Sequence, residues 1–337
     1  MSSRLLVCGV INWDTTLFVD RLPSAGEEMQ VRRMISVPGG KGGNTAVTAA
    51  RILGPSKVTL VAGLGDDDVA QRQIQVLEKE GVDTGCIIFQ RKMASGQAYI
   101  VVDNQTGENM ILTHMAANLL QPDFFFPSQH FQDAAAARIA EAVSGAEMII
   151  VIDPPFEVAS RLAGSKSKDQ LLVLSPALLT NLGLGTLRSY LEKADYVVLN
   201  EQEAGLLMQS PAAPDSIADA GSRLSRLLGG KRVVITLGSR GCALFSGDKK
   251  ALIPPLDLDY FGLKVVSTVG AGDTLVGTFA SFKVEGLDDI ESLFRACIAA
   301  GLKTTREETR GSPDKEMIEY YAGQPKMRML LDSVKLT

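Results

Sequence analysis

Histidine is close to absent: the 337 residues hold only His114 and His130. The two form no ligand pair, so histidine-based catalysis and a zinc centre are not expected. Cysteine is scarce as well. Cys8, Cys86, Cys242 and Cys297 include no CxxC spacing and read as reduced thiols of a cytosolic protein, not as a disulfide framework or metal site. No apolar stretch reaches the ~18 residues of a membrane span, so none is expected. Runs of basic residues are missing too, and a net charge of −5 with a pI near 5.3 argues against a nucleic-acid partner. Met1-Ser2-Ser3-Arg4 leads at once into an apolar run. That leaves no room for a cleavable signal peptide, and a cytoplasmic location is the expectation.

What is present is apolar content enough for a large core, 45% hydrophobic against 22% charged residues. Apolar runs at 5–10, 58–62, 148–152, 171–174, 196–199 and 233–236 alternate with helical patterns. The rhythm predicts an α/β fold over 1–14, 38–95 and 115–337: a doubly wound, mainly parallel central sheet flanked by helices. Alternating, turn-rich pieces at 15–37 and 96–114 break it. They suit a small β-sheet lid, formed by two insertions, that closes over a ligand and excludes water. Segments around Gln121 to Phe131 and Leu162 to Gln170 read as polar surface loops.

The densest chemical signal is Ser267-Thr268-Val269-Gly270-Ala271-Gly272-Asp273-Thr274, a glycine-punctuated turn running into an apolar helix that Gly286 stops. Gly270 and Gly272 can adopt backbone angles closed to other residues, so the amides of 270 to 273 can converge on one anion at the positive end of the helix. Asp273 at the mouth of that pocket suits a general base, taking a proton from an attacking hydroxyl while Gly270, Ala271 and Gly272 stabilise a transferring phosphoryl group. Taken alone, the motif reads more readily as a tight strand-to-helix turn with an N-capping Asp.

A second cluster, Gly39-Gly40-Lys41-Gly42-Gly43-Asn44, opens a helix that Gly54 and Pro55 end. It matches neither the Walker A pattern nor GxGxxG. Its glycines, Gly40 and Gly42 among them, would let backbone approach a small polar ligand to which Lys41 and Asn44 donate. Upstream, Leu5 to Val10 is a buried-strand run leading to Asn12 and Asp14. In open α/β sheets ligands sit beyond the carboxyl ends of strands, where an amide and a carboxylate could grip vicinal hydroxyls. The alternative is a polar strand end facing solvent.

In this order the motifs resemble those of ribokinase-type (PfkB) carbohydrate kinases nearly from end to end. The match comprises N-x-D (Asn12, Asp14), P-x-x-G-E (Pro23, Gly26, Glu27), GGKGxN (Gly39 to Asn44), Ser95-Gly96 before a strand, Gly107-Glu108-Asn109 and Ala117-Asn118. It continues with N-x-x-E (Asn200, Glu203), T-x-G-x-x-G (Thr236, Gly238, Gly241) and the GAGD turn. The resemblance implies ATP-dependent phosphorylation of a sugar primary hydroxyl, with D-ribose favoured and a nucleoside, pseudouridine or another sugar as alternatives. A non-catalytic sugar or nucleoside sensor is the rival of a different class, against which an intact Asp273 weighs. It implies that Asn12, Asp14, Gly40, Lys41, Gly42, Asn44 and Asp273 face the sugar. It implies that Asn200, Thr236, Gly238, Ser239, Gly241 and Gly272 face ATP, and that Glu203 orders water on Mg²⁺. Asn200 and Glu203 lie at helical i, i+3 spacing, which also suits a plain N-cap, and the TxGxxG loop also suits a hairpin turn. Arg240 in that loop reads as a solvated residue.

Two positions depart from the family pattern. Asp153 stands where such kinases carry a Glu that reaches toward the sugar, one methylene shorter, with Glu157 as a weaker substitute. Ser267 stands where many carry an Asp that helps to bind a monovalent cation behind the anion hole, which puts potassium activation in doubt. Kinases of this kind also pair through their lids, which gives a homodimer as the expectation.

Overall fold

In the computed structural model, residues 4–106, 108–120, 134–209 and 214–337 are described. The first third of the chain runs β1 (Leu5–Gly9), β2 (Asn12–Val19), β3 (Arg33–Gly39), α1 (Lys41–Leu53), β4 (Val58–Leu64), α2 (Asp68–Lys79), β5 (Ile87–Phe89), β6 (Gln97–Asp103) and β7 (Asn109–His114). The middle runs α3 (Ala134–Gly145), β8 (Met148–Ile152), α4 (Phe156–Gly164), β9 (Leu171–Ser175), α5 (Gly183–Leu191), β10 (Tyr196–Asn200), α6 (Glu201–Met208) and α7 (Pro214–Leu227). The last part runs β11 (Arg232–Thr236), β12 (Cys242–Ser246), β13 (Lys249–Ile253), α8 (Ala271–Val284), α9 (Asp289–Thr304), α10 (Lys315–Ala322) and α11 (Pro325–Asp332).

Nine strands form the main sheet in the order β13-β12-β11-β10-β9-β8-β1-β4-β5. It is parallel from β11 to β5, and β12 and β13 extend it as an antiparallel edge. Every apolar run read as a buried strand is one. Strand β1 explains why: its alternate side chains enter opposite layers, Leu5 and Val7 meeting α1, α8 and α9, and Leu6 and Cys8 meeting α3, α4 and α5. With Leu5, Leu6, Val7 and Cys8 all at 0% exposure, each large aliphatic among them contributes ~1.5–3 kcal/mol of burial. Helix α8 is apolar almost all round, which fits its central position against both α1 and α9.

A separate four-stranded sheet has the order β3-β2-β6-β7; its strands fall mostly in the two turn-rich pieces of sequence but reach beyond 15–37 at both ends, to Asn12 and Gly39. Strand β2 begins at Asn12 and β3 ends at Gly39, and these two residues are register partners. The small sheet therefore meets the main body at the residues singled out for the sugar site. Of the expected polar loops, Gln121 to Phe131 lies outside the described residues. The second is corrected: Leu162 is fully buried in α4, and Gln170 is buried because its side-chain amide donates to Val143 O and Ala146 O at 2.5 and 2.7 Å. Only the turn between them is surface. Among the described residues no helix is long and apolar enough to cross a membrane.

Candidate functional site

Parallel register aligns the carboxyl ends of the strands along one edge of the main sheet. Gly9 pairs with Ile152, Ile152 with Ser175, and Asn200 with Thr236. Residues just past those ends, Asn12, Asp153, Asn200 and the 237–241 turn, are thereby gathered on one rim, the edge where open α/β sheets bind ligands.

The two glycine clusters meet above that rim. Gly40 caps α1 at φ 87°, and a Cβ there would lie 2.4 Å from Asn12 N, so this turn admits only glycine. Gly270 caps α8 at φ 83° and closes on the 305–310 loop, where a Cβ would lie 2.4 Å from Thr309 O. The Ala271 amide donates to Thr268 O at 3.2 Å, whereas Gly270, Gly272 and Asp273 have no backbone acceptor among the described residues. Three donors around the positive end of a helix of 14 residues are thus available to an anion, Ala271 alone of the four-amide cradle being engaged within its own turn.

Asp273 is held by the other cluster. Asn44 Nδ2 donates to its Oδ2 at 2.8 Å, and the Thr45 hydroxyl donates to its carbonyl at 3.4 Å. Asn44 Oδ1 in turn accepts from Arg310 Nε at 3.3 Å, which leaves that residue one amide hydrogen for a ligand. Burial pushes the Asp273 carboxyl above its ordinary range, with Lys41, Asn44 and Lys303 pulling it back and Asp153 adding to the rise.

Asp14 is 6% exposed, and Asn12 is also buried, which sets aside the solvent-facing alternative. Burial carries Asp14 up to about 7, opposed by Arg310, raised by Asp273 and eased by a hydrogen bond from Thr309 and by Lys41. Asn12 is fixed from behind. Its Oδ1 accepts from Asn118 Nδ2 at 2.8 Å, while Asn118 also closes on Ile11 through N–H···O bonds of 2.9 and 3.0 Å. This gives the Ala-Asn motif its physical reason, a side-chain amide that mimics a strand across the junction of the two sheets.

Lys41 Nζ donates to Asp153 Oδ2 at 3.1 Å, and Asp153 Oδ1 accepts from Leu178 N at 3.1 Å. Burial alone would lower the Lys41 ammonium, yet Asp153 and Asp273 hold it above its ordinary value, and the same burial raises Asp153. Asp153 has φ 58°, a left-handed backbone that Asp tolerates better than most residues. Glu157, the weaker substitute, is exposed in the first turn of α4.

On the nucleotide side, Asn200 and Glu203 form a capping box. Glu203 N donates to Asn200 Oδ1 at 2.8 Å and Asn200 N to Glu203 Oε2 at 3.0 Å. Glu203 nevertheless shares one field with the rest: burial raises it, its capping bond and Lys41 lower it, and Asp153 and Asp273 raise it. Thr236, Gly238, Ser239 and Gly241 form the turn of the β11–β12 hairpin, closed by Leu237 N to Gly241 O at 2.8 Å. Arg240 is not simply solvated; it pairs with Glu201 at the start of α6. Of the site residues only this turn's Arg240 borders the cleft of about 540 Å³ at the β13 edge, lined also by Lys250, Pro254, Pro255 and Ser333.

Sequence reasoning missed Lys303 and Arg310. Lys303 follows Ala299 by four positions on the buried stripe of α9, a charge where the pattern calls for an apolar residue, and that mismatch was the available signal. Arg310 sits in an irregular loop, where no periodicity could reveal that it is 6% exposed and donates to Gly39 O at 2.7 Å.

Comparison with known proteins bears on this geometry. The profile of the pfkB family carbohydrate kinases matches residues 2–316. Ribokinase of Bacillus subtilis is 29% identical over 319 residues, covering 94% of this chain and 98% of its own. A bifunctional ribokinase/ribose-5-phosphate isomerase A of Fructilactobacillus sanfranciscensis is 30% identical over 279 residues, or 82% of this chain, which spans 48% of that protein's length. The structure of Arabidopsis thaliana ribokinase complexed with ribose and ATP superposes with a TM-score of 0.81 at 26% identity, over 96% of this chain and 100% of that one.

Proposed function

Since this chain belongs to the pfkB family of carbohydrate kinases and is an ATP-dependent member, we propose that it transfers the γ-phosphoryl group of ATP to the primary hydroxyl of D-ribose, giving ribose 5-phosphate. The observation that carries this reading is the Asn44–Asp273 contact, which sets the base from α8 beside the polyol-binding group formed by Asn12, Asp14, Lys41 and Asp153.

In this reading Asp14 and Asn12 accept from and donate to vicinal hydroxyls, with Gly40 and Gly42 letting backbone approach the ring. Asp273 Oδ1, opposite the oxygen held by Asn44, takes the proton of the attacking O5. The O5–P bond forms as the P–O bond to ADP breaks, and the amides of Gly272 and Asp273 face the phosphoryl charge. Asn200 and the turn Thr236, Gly238, Ser239 and Gly241 lie along the nucleotide. Mg²⁺ fits as an ion carried by the phosphates: among the described residues no three His, Cys, Asp or Glu cluster as a metal cage, and Glu203 keeps Oε1 for a metal-bound water. Bound there, it would neutralise phosphate charge.

The small sheet is proposed to act as the lid, and its exposed Met34, Met110, Ile111 and Leu112 support pairing with a second copy. The short Asp153 side chain favours a second reading, a bulkier acceptor such as a nucleoside or pseudouridine. A coupled ADP-release screen over ribose, deoxyribose, fructose, pseudouridine and common nucleosides decides: ribose should give the highest kcat/KM. A nucleoside ahead of ribose would establish the second reading, and saturable sugar binding without ADP release would establish a sensor.

A further inference from the structure

The family resemblance implies a monovalent cation behind the anion hole, and the residues present do not fit one. Lys303, in the last turn of α9, has 0% exposure, and its Nζ lies 3.4 Å from Ser267 O and 3.3 Å from Arg306 O. Ser267 begins the turn that ends in Gly270 and Asp273, and Thr304 O accepts from Val266 N and Ser267 N at 2.7 and 3.0 Å, so the turn rests on the end of α9. Backbone carbonyls facing inward at the negative end of a helix are what a bare cation would coordinate, and here an ammonium already occupies that place. Ser267, where an Asp would supply the charge for an ion, instead accepts at Oγ from Val269 N at 3.4 Å within its own turn.

We infer that Lys303 is a tethered cation: its ammonium positions the 267–273 turn and neutralises charge behind it, so that turnover and folding are both independent of potassium. The inference rests on the proposed kinase reading for its catalytic half only. Burial pulls Lys303 down to about 8, and Glu308 and Asp273 oppose the fall while Arg306 adds to it, so the group stays charged near neutrality. Lys303 in turn draws Asp273 downward. It touches neither sugar nor nucleotide and is a positioning residue.

The test compares potassium chloride with tetramethylammonium chloride at equal ionic strength, using the full chain. Wild-type turnover should agree within about twofold in the two salts, and its melting temperature should not move between them. Lys303→Ala, which opens the space, should lose about tenfold in turnover in tetramethylammonium and recover on adding potassium or ethylammonium. Lys303→Met, which fills the space without charge, should lose as much and not recover. A wild-type enzyme whose melting temperature rises in potassium overturns the inference even if both variants fail to fold, and so does either variant working at the wild-type rate without potassium. Absence of ADP release with every acceptor in both salts would refute the kinase reading instead, and the melting comparison would still decide the cation.

Discussion

Asn44 donates its side-chain amide to Oδ2 of Asp273 across 2.8 Å, although 229 positions separate the two in the chain. The contact joins the first turns of α1 and α8, so the loop expected to hold the sugar also holds the carboxylate proposed as the base. Asp273→Asn should therefore lower kcat by about two to four orders of magnitude with little change in the sugar dissociation constant. Asn44→Leu should cost about a hundredfold in kcat, because a base free to swing by ~1 Å loses its alignment. Steady-state kinetics with binding measured by calorimetry would check both. Wild-type turnover in Asp273→Asn removes that carboxylate from the mechanism.

Most of the sheet was legible because each central strand is buried on both faces and leaves an unbroken apolar run, as in Leu5 to Cys8. The two glycine turns were legible because their backbones admit no other residue at Gly40 and Gly270. The roles of the buried cations behind the site were not, although Lys303 leaves one mark, its charge on the apolar stripe of α9. Arg310 and Lys303 act through backbone carbonyls and through Asn44, and sequence carries no mark of a partner supplied by main chain. The NxxE motif shows a third case, where one pair of residues serves as a capping box and also lies in the site's field. Local structure and ligand contact leave the same pattern there.

Asp153 combines a left-handed backbone with two hydrogen bonds, one from Lys41 and one from Leu178 N. Asn keeps the backbone preference and an acceptor for Leu178. Ala keeps neither and leaves a partly buried N–H without its acceptor. Asp153→Ala is expected to lower unfolding stability by about 1–3 kcal/mol in urea titration, and Asp153→Asn by clearly less. Both should raise the sugar KM, since Lys41 loses the carboxylate that holds it in place. Equal stability losses in the two variants would contradict this account.

Gly39 shows how closely the small sheet is fitted to the site. A Cβ there would lie 1.9 Å from Asp14 Oδ2, so Gly39→Ala must displace the Asp14 carboxylate or the β3 end. The sugar KM should rise at least tenfold, about 1.4 kcal/mol of lost binding, with KM for ATP unchanged. A rise in the ATP KM alone would show that Asp14 does not face the sugar.

Arg310 and Asp14 set a pH dependence whose direction can be worked out. Burial raises Asp14 to about 7, and Arg310 is the first group opposing that rise. In the proposed site ionised Asp14 accepts from sugar hydroxyls, so as pH falls through about 7 the carboxyl should protonate and the sugar KM rise. Removing the guanidinium in Arg310→Met withdraws the opposing charge, which must move this limb to higher pH. Asp273 is also raised by burial, but Arg310 is not among the groups that shift it. The acid limb of kcat should therefore move less than the KM limb, and upward only as far as the weakened hold on Asn44 loosens its hydrogen bond to Asp273, while kcat itself falls. Arg310→Lys keeps a positive charge and should leave the KM limb near the wild-type position. Profiles of KM and kcat against pH for the three proteins separate these effects. A KM limb that does not move in Arg310→Met would show that Asp14 is not the group that titrates.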